Sequence, residues 1–134
     1  MPYEKPLPTI TPATQEFWES ARGHVLKVPR CPACKKLFFP PTPLCPYCFH
    51  EPTAWAQVKG KGKVYSFTTV WRAINPAFQN DVPYVLAIIE LDEGVRIPSN
   101  IVGCRPEAIR VGMPVKVLFE KATDEVTIPK FTPE

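Results

Sequence analysis

The 134 residues suffice for one ordinary domain, or for a small metal-stapled module beside a compact barrel. Apolar residues make up 45%, aromatic residues 11% and charged residues 22%, which excludes an intrinsically disordered chain; no apolar run approaches the roughly 18 residues of a membrane span, and MPYEKPLPTI has no signal-peptide core, so a cytoplasmic protein with no membrane partner is expected. The formal charge of +3 is uneven, nine Lys/Arg against four Asp/Glu over 1–63 and seven against nine over 64–134, which is too little concentrated basicity for a nucleic-acid groove.

Eleven of the 18 prolines precede residue 53. Each removes a backbone donor and crowds the preceding turn, so extended segments and turns should dominate the front of the chain. Residues 1–10 read as an extended lead. Thr11 can cap a helix with Pro12 at its first position and Glu16 and Glu19 near its positive end; the helix should end near Gly23. Phe17 and Trp18 give this helix an aromatic shoulder, which more often anchors a helix to the body than docks a partner. His24–Arg30 reads as a strand into a first cysteine knuckle, Lys36–Phe39 as a strand leaving it, and Trp55–Val58 as extended chain after a second knuckle. Lys59-Gly60-Lys61-Gly62-Lys63 marks a turn or bulge.

From Val64 the period is two, with Tyr65, Phe67 and Trp71 on one side of a strand and Ser66, Thr68 and Val70 on the other. Pro83–Leu91 is nearly all apolar, as in a strand covered on both faces. Asp92-Glu93-Gly94 signals a tight turn. Val95–Val102 follows as a strand with Pro98 at a bulge or edge, Pro106–Arg110 can make one helical turn, and Val115–Glu120 alternates again. Short strands at this spacing, with one helical insertion, suit a five-stranded OB-fold barrel.

Between the two halves lie the pairs Cys31/Cys34 and Cys45/Cys48. Each Cys-x-x-Cys turns two sulfurs toward one point, and the ten residues between the pairs allow a hairpin that sets the second pair opposite the first. Zinc is the first choice, because a closed four-sulfur site is structural and needs no open position. Spacing alone leaves iron in a rubredoxin-like centre as an alternative, and two disulfides as a third that a reducing compartment disfavours. Metal binding in small zinc peptides is worth about 10–16 kcal/mol at neutral pH, enough to order a segment with little apolar surface of its own. The chain is therefore expected to be mainly β, with a lead and helix over 1–30, a rubredoxin-like zinc ribbon over 31–58 and the barrel over 59–134.

No catalytic residue is assigned. Cys104 reads as a small, buried apolar side chain; as a nucleophile it would need a base, and the two histidines, His24 and His50, both fall in the ribbon half. Asp92, Glu93, Asp124 and Glu125 read as solvated turn residues. Phosphate loops, nucleophile elbows and helical zinc-protease motifs are absent from the sequence.

The runs FWESARGHVLKVPRCPACKKLFFPPTPLCPYC, GKGKVYSFTTV, NPAFQNDVPYVLAIIELDEGVR and VGMPVKVLFE, with the tail TIPKFTPE, closely resemble the zinc-ribbon/OB-fold proteins long filed as domain of unknown function thirty-five. The order of these motifs covers the chain from about residue 14 to its end. The resemblance implies a small partner of a thiolase-like enzyme, acyltransferase, hydratase or aldolase acting on acyl-CoA, in which the larger subunit carries the catalytic cysteine and histidines. The small subunit would scaffold a hetero-oligomer and help shape the channel for the coenzyme A thioester. Some members of that family lack the ribbon cysteines, whereas this chain keeps all four.

Loops on a rigid barrel are where contacts usually lie, so the segment from Trp71 to Pro83 is the candidate contact region, with Trp71, Arg72, Asn75 and Phe78 facing acyl-CoA or the partner. The plainer alternative is a self-packed loop with Phe78 plugging the barrel mouth. Lys59, Lys61 and Lys63 could meet coenzyme A phosphates, although a solvated lysine turn is commoner. A reading of another class, a single-stranded nucleic-acid binder using Tyr65, Phe67 and Trp71 as stacking platforms, is disfavoured by the acidic balance of the barrel half.

Overall fold

In the computed structural model, which describes residues 5–51 and 53–134, the first regular element is the helix α1, Gln15–Arg22. Residues 1–4 of the expected extended lead, and Pro52, lie outside the described residues. The helix starts one turn later than expected. Thr11 opens a turn instead, its carbonyl accepting from the N–H of Thr14 and Gln15 at 3.0 and 2.8 Å while the Thr14 hydroxyl accepts from the Thr11 N–H, and Thr14 becomes the cap. At the other end His24, at φ 60°, takes the left-handed position just past the helix. The His24 and Val25 N–H groups reach back to the Ala21 and Ser20 carbonyls, so the following strand begins two residues later than expected. Phe17 is buried and Trp18 meets it edge-on at 4.9 Å; these aromatics anchor the helix.

Strand β1, Leu26–Arg30, pairs antiparallel with β2, Ala54–Val58. The strand expected over Lys36–Phe39 reduces to one bridge, Leu37 to Arg30, and a Phe38 N–H to Pro29 carbonyl bond; Pro40 and Pro41 end the pairing by removing donors.

Five strands then close a barrel in the order β3-β4-β5-β7-β6: β3 is Lys61–Val70, β4 Tyr84–Leu91, β5 Arg96–Ile101, β6 Pro114–Lys121 and β7 Thr127–Pro133. This is the expected mainly β architecture with its OB-fold barrel. The glycine-lysine run is less of a turn than its composition suggests, because only Gly60, at φ 78°, turns, and β3 already begins at Lys61. Gly62 lies between Leu91 of β4 and Val115 of β6, and a Cβ there would strike the Glu90 carbonyl. The glycine therefore lets the seam close, while Lys61 and Lys63 point out to Glu134 and Glu90 at 3.2 and 3.7 Å.

A register shift between Val64 and Ser66 corrects the expected aromatic row. One extra residue flips every later side chain, so Phe67 packs against the core while Tyr65 stays 45% exposed. Trp71 lies beyond the end of β3. Strand β4 is covered on one face rather than two. Val85, Ala87, Ile89 and Leu91 are buried, but Leu86 is 47% exposed, since β4 pairs antiparallel on both sides and its outer face looks to water.

The sequence pattern assigns four barrel strands; the fifth is β7, whose Pro129 and Pro133 argue against a strand. Both are tolerated because β7 pairs fully with β6 but touches β5 at a single pair, Ile101 to Phe131. Pro129 turns its carbonyl toward Ser99 of β5 at 3.0 Å, and so turns its donor-less nitrogen to the side where no ladder is made. Pro98 likewise sits where β5 has β4 on one side only. The core joins ribbon and barrel in one cluster, with Phe17, Leu26, Val28 and Val58 meeting Ile89, Val115 and Phe131. Burying such side chains contributes about 1.5–3 kcal/mol each. No helix among the described residues is long and apolar enough to cross a membrane.

Candidate metal centre and contact loop

The two knuckles are built alike. In each, the N–H four residues after the first cysteine bonds back to that cysteine's carbonyl, Lys35 to Cys31 and Phe49 to Cys45, both at 2.9 Å. In each, the first cysteine's own N–H donates to the carbonyl five residues on, Lys36 or His50, at 3.0 Å. The sulfurs accept main-chain donors as well: the Cys34 N–H reaches Cys31 Sγ at 3.4 Å and the Tyr47 N–H reaches Cys45 Sγ at 3.3 Å.

This repeated turn forces Lys35 and Phe49 to φ 70° and 63°. A side chain costs roughly 1–2 kcal/mol there. Sequence reading singled out neither residue. The signal was available, as both stand four places after the first cysteine of a pair.

All four sulfurs lie within 4.8 Å of one another, with Cys31 to Cys48 at 3.5 Å and Cys34 to Cys45 at 3.7 Å. A tetrahedron with metal–sulfur bonds of about 2.3 Å has edges of roughly 3.8 Å, whereas a disulfide needs about 2.05 Å. The separations fit a metal centre. The donor chemistry agrees: the Cys34 N–H foremost, with the Ala33 N–H and the neighbouring sulfurs, brings the Cys31 thiol down to about 6 against the opposing effect of burial. At Cys48 the His50 N–H acts downward, but Cys31, burial and the other sulfurs together carry the thiol up to about 11. A cation bound among the four sulfurs would displace the protons they still carry. Cys31 and Cys45 are buried and Cys48 is exposed.

Elsewhere the expected residues separate. His24 stacks on Phe119 at 5.2 Å, and no hydrogen bond joins either histidine to Cys104 among the described residues. Cys104 is half-buried against the core rather than fully enclosed, and burial pushes its thiol up. That is the environment of an inert side chain.

In the contact loop, Trp71 is 65% exposed and Arg72 is exposed. Asn75 accepts the Ala77 N–H at 2.9 Å and so caps the short 3-10 turn Pro76–Phe78. Phe78 is half-buried, 5.8 Å from the Tyr84 ring, with Lys5 Nζ over its own ring at 5.9 Å. It borders a cavity of about 570 Å³ that Tyr84, Ile101, Cys104 and Ile128 also line. A second, shallower groove of about 660 Å³ runs between ribbon and barrel, bordered by Arg30, Lys36, Tyr47, β2 and Glu93.

Two family models match the sequence: the ChsH2 rubredoxin-like zinc ribbon domain over residues 18–53 and the ChsH2 C-terminal OB-fold domain over residues 55–120. A probable enoyl-CoA hydratase alpha subunit of Thermomonospora curvata is 39% identical across 96% of this chain, which spans only 40% of that relative's length. A DUF35 domain-containing scaffold protein of Methanocaldococcus jannaschii is 41% identical over 72% of the chain and 68% of the relative. The benzoylsuccinyl-CoA thiolase subunit BbsA of Thauera aromatica is 34% identical over 76% and 72%. Among solved structures, a chain of the Ltp2-ChsH2(DUF35) aldolase superposes with a TM-score of 0.85 at 38% identity, covering 95% of this chain and 98% of the other.

Proposed function

The chain belongs to the ChsH2/DUF35 family of zinc-ribbon and OB-fold proteins, and from that premise we propose that it is a non-catalytic subunit of a thiolase-type enzyme that forms or cleaves carbon–carbon bonds in acyl-CoA. Its relatives are named as subunits of acyl-CoA hydratase and thiolase systems, which supports an accessory role beside a catalytic partner. The observation that carries the reading is the tetrathiolate cluster: four protein ligands close a zinc shell and leave no position for substrate, so the metal supplies rigidity. Cys31, Cys34, Cys45 and Cys48 hold it.

On this reading Trp71 and Arg72 meet the partner or the acyl-CoA, while Asn75 and Phe78 hold the loop in the shape that presents them. Tryptophan and arginine are both enriched at interface hot spots. Co-expression with a thiolase-like catalytic subunit from the same source should yield a stable hetero-oligomer, and the small protein alone should cleave no acyl-CoA. Trp71→Ala should weaken assembly by about 2 kcal/mol or more. A monomer that ignores the catalytic subunit and leaves its turnover unchanged would defeat the proposal.

A further inference from the structure

Strands β3 and β4 are antiparallel neighbours paired to their ends at Val70 and Tyr84, so a hairpin of about 2–5 residues would suffice to join them. Residues 71–83 make the connection instead. So much extra chain is either slack or built for contact, and its own bonds decide between the two.

The returning half of the loop is braced. The Phe78 N–H donates to the Asn75 carbonyl and the Gln79 N–H to that of Pro76, both at 3.0 Å, and the Asp81 N–H donates to the Phe78 carbonyl at 2.9 Å. Phe78 packs beside Tyr84, and the Asp81 carboxylate accepts from the Lys5 ammonium at 2.6 Å, which ties the loop to the lead. What this brace holds out is apolar. Ile74, immediately before the capping Asn75, is 99% exposed, Trp71 is mostly exposed, and Leu86 continues the apolar surface along the outer face of β4, two residues past Tyr84. Singly exposed apolar residues are common on any protein. Two within four residues on a braced loop, with a third on the adjoining strand, form a patch, and Ile74 forgoes the burial that ordinarily stabilises such a side chain.

The grooves of this chain are poor sockets for it. The cavity beside Phe78 is rimmed by the ion pairs Lys5–Asp81 and Lys130–Glu120, and the groove between ribbon and barrel by Arg30, Lys35, Lys36 and Glu93. An isoleucine seated there would strip water from those charges. A lipid surface fits no better, because attachment to anionic lipid draws on clustered cations and the stretch from Val64 to Val82 carries a single one, Arg72.

We propose that Ile74, together with Trp71, is the principal anchor of this chain on its catalytic partner, and that it enters an apolar pocket in that subunit's surface. This commits the tip of the loop to protein rather than to acyl-CoA. The inference rests on the catalytic partner proposed above, and the test separates the two.

The co-expressed complex is diluted and its dissociation constant measured for wild type and for Ile74→Val, Ile74→Ala and Ile74→Asp, with the zinc content and denaturant midpoint of each free chain alongside. A pocket that takes the whole side chain predicts a graded loss of affinity: about fourfold for Val, at least about tenfold for Ala and at least about a hundredfold for Asp. The losses should persist at high salt, which screens charge but not burial. Because Ile74 lies wholly in water in the free chain, zinc content and midpoint should stay at wild type. A complex that forms with Ile74→Ala and Ile74→Asp within about threefold of wild type overturns this inference and leaves the scaffold role standing. A lowered midpoint in the free variants makes Ile74 a structural residue, with the same result. Saturable binding of decanoyl-CoA to the free chain, its self-association, or its capture by phosphatidylserine vesicles, if abolished by Ile74→Asp, gives the tip to another occupant and overturns the inference too. Failure of the wild-type chain to form any complex defeats the partner itself, and this inference with it.

Discussion

Among the described residues from Cys31 to Val58 the buried positions go to two cysteines, Phe38 and Val58, whereas from Val64 to Phe131 they go to a dozen apolar side chains and Thr127, most of them on five strands. The two regions are ordered by different physics. Removing the apolar driving force would collapse the barrel, and removing the cation would collapse the ribbon, because that segment buries little apolar surface of its own and the bonds from the four sulfurs to the metal are what would hold it. They nonetheless share a seam, where Leu26, Val28 and Val58 enter the barrel's core cluster. On the proposed reading a metal-dependent module is thus mounted on a metal-independent one.

The harshest test of that division is to take the metal away. Chelation, or Cys45→Ser, should unfold residues 31–53 and release the catalytic partner, at the scale of the roughly 10–16 kcal/mol that zinc contributes to such folds. The barrel's β signal should survive. Near-complete loss of β structure on chelation would show that the two regions share one stabilising source. The converse test is Phe131→Ala in β7, a wholly buried side chain whose truncation should cost about 3–5 kcal/mol in denaturant unfolding while zinc stoichiometry holds.

The cysteine site is legible in the sequence because ligand spacing is a local rule, and the barrel's inner faces are legible wherever strands keep their period. What escapes is set by neighbours. The flip of Phe67 away from Tyr65 depends on one extra residue opposite β4, which no periodicity along β3 alone reveals. Strand β7 hides behind Pro129 and Pro133, whose tolerance depends on the ladder that β5 fails to make with them. The lysine-glycine run reads as a turn because glycine is usually needed for its torsions. At Gly62 it is needed for the space that the Glu90 carbonyl occupies.

That last point gives a test of intermediate size. Gly62→Ala places a methyl against β4 backbone, which cannot rotate away, so the barrel should lose about 1–3 kcal/mol with no change at the metal. Wild-type stability would mean the seam is looser than its geometry indicates. In the ribbon the effect of glycine reverses. Lys35 sits at φ 70°, and Lys35→Gly should stabilise the ribbon against chelator-induced unfolding by about 1 kcal/mol, leaving the barrel's own denaturant midpoint unmoved.

The smallest effect lies where the helix meets the ribbon. The Lys27 ammonium donates to Glu16 at 2.8 Å and Ser20 Oγ adds a weaker bond; Lys27, by that hydrogen bond first and its charge besides, holds the Glu16 carboxyl below its ordinary value. A carboxyl lowered in the folded state contributes stability that is complete above the unfolded group's titration, near about 4.3, and that fades as the pH falls through the lower folded value. Both side chains are partly exposed, so solvent screening limits the pair to under about 1 kcal/mol. Lys27→Ala should therefore return the Glu16 carboxyl resonance to an ordinary titration in NMR and shift stability at neutral pH only slightly, by an amount that salt abolishes. A loss well above that range would mean the helix is fastened to β1 chiefly by this ion pair, and the apolar contact of Phe17 with the shared core would no longer be what joins the two regions.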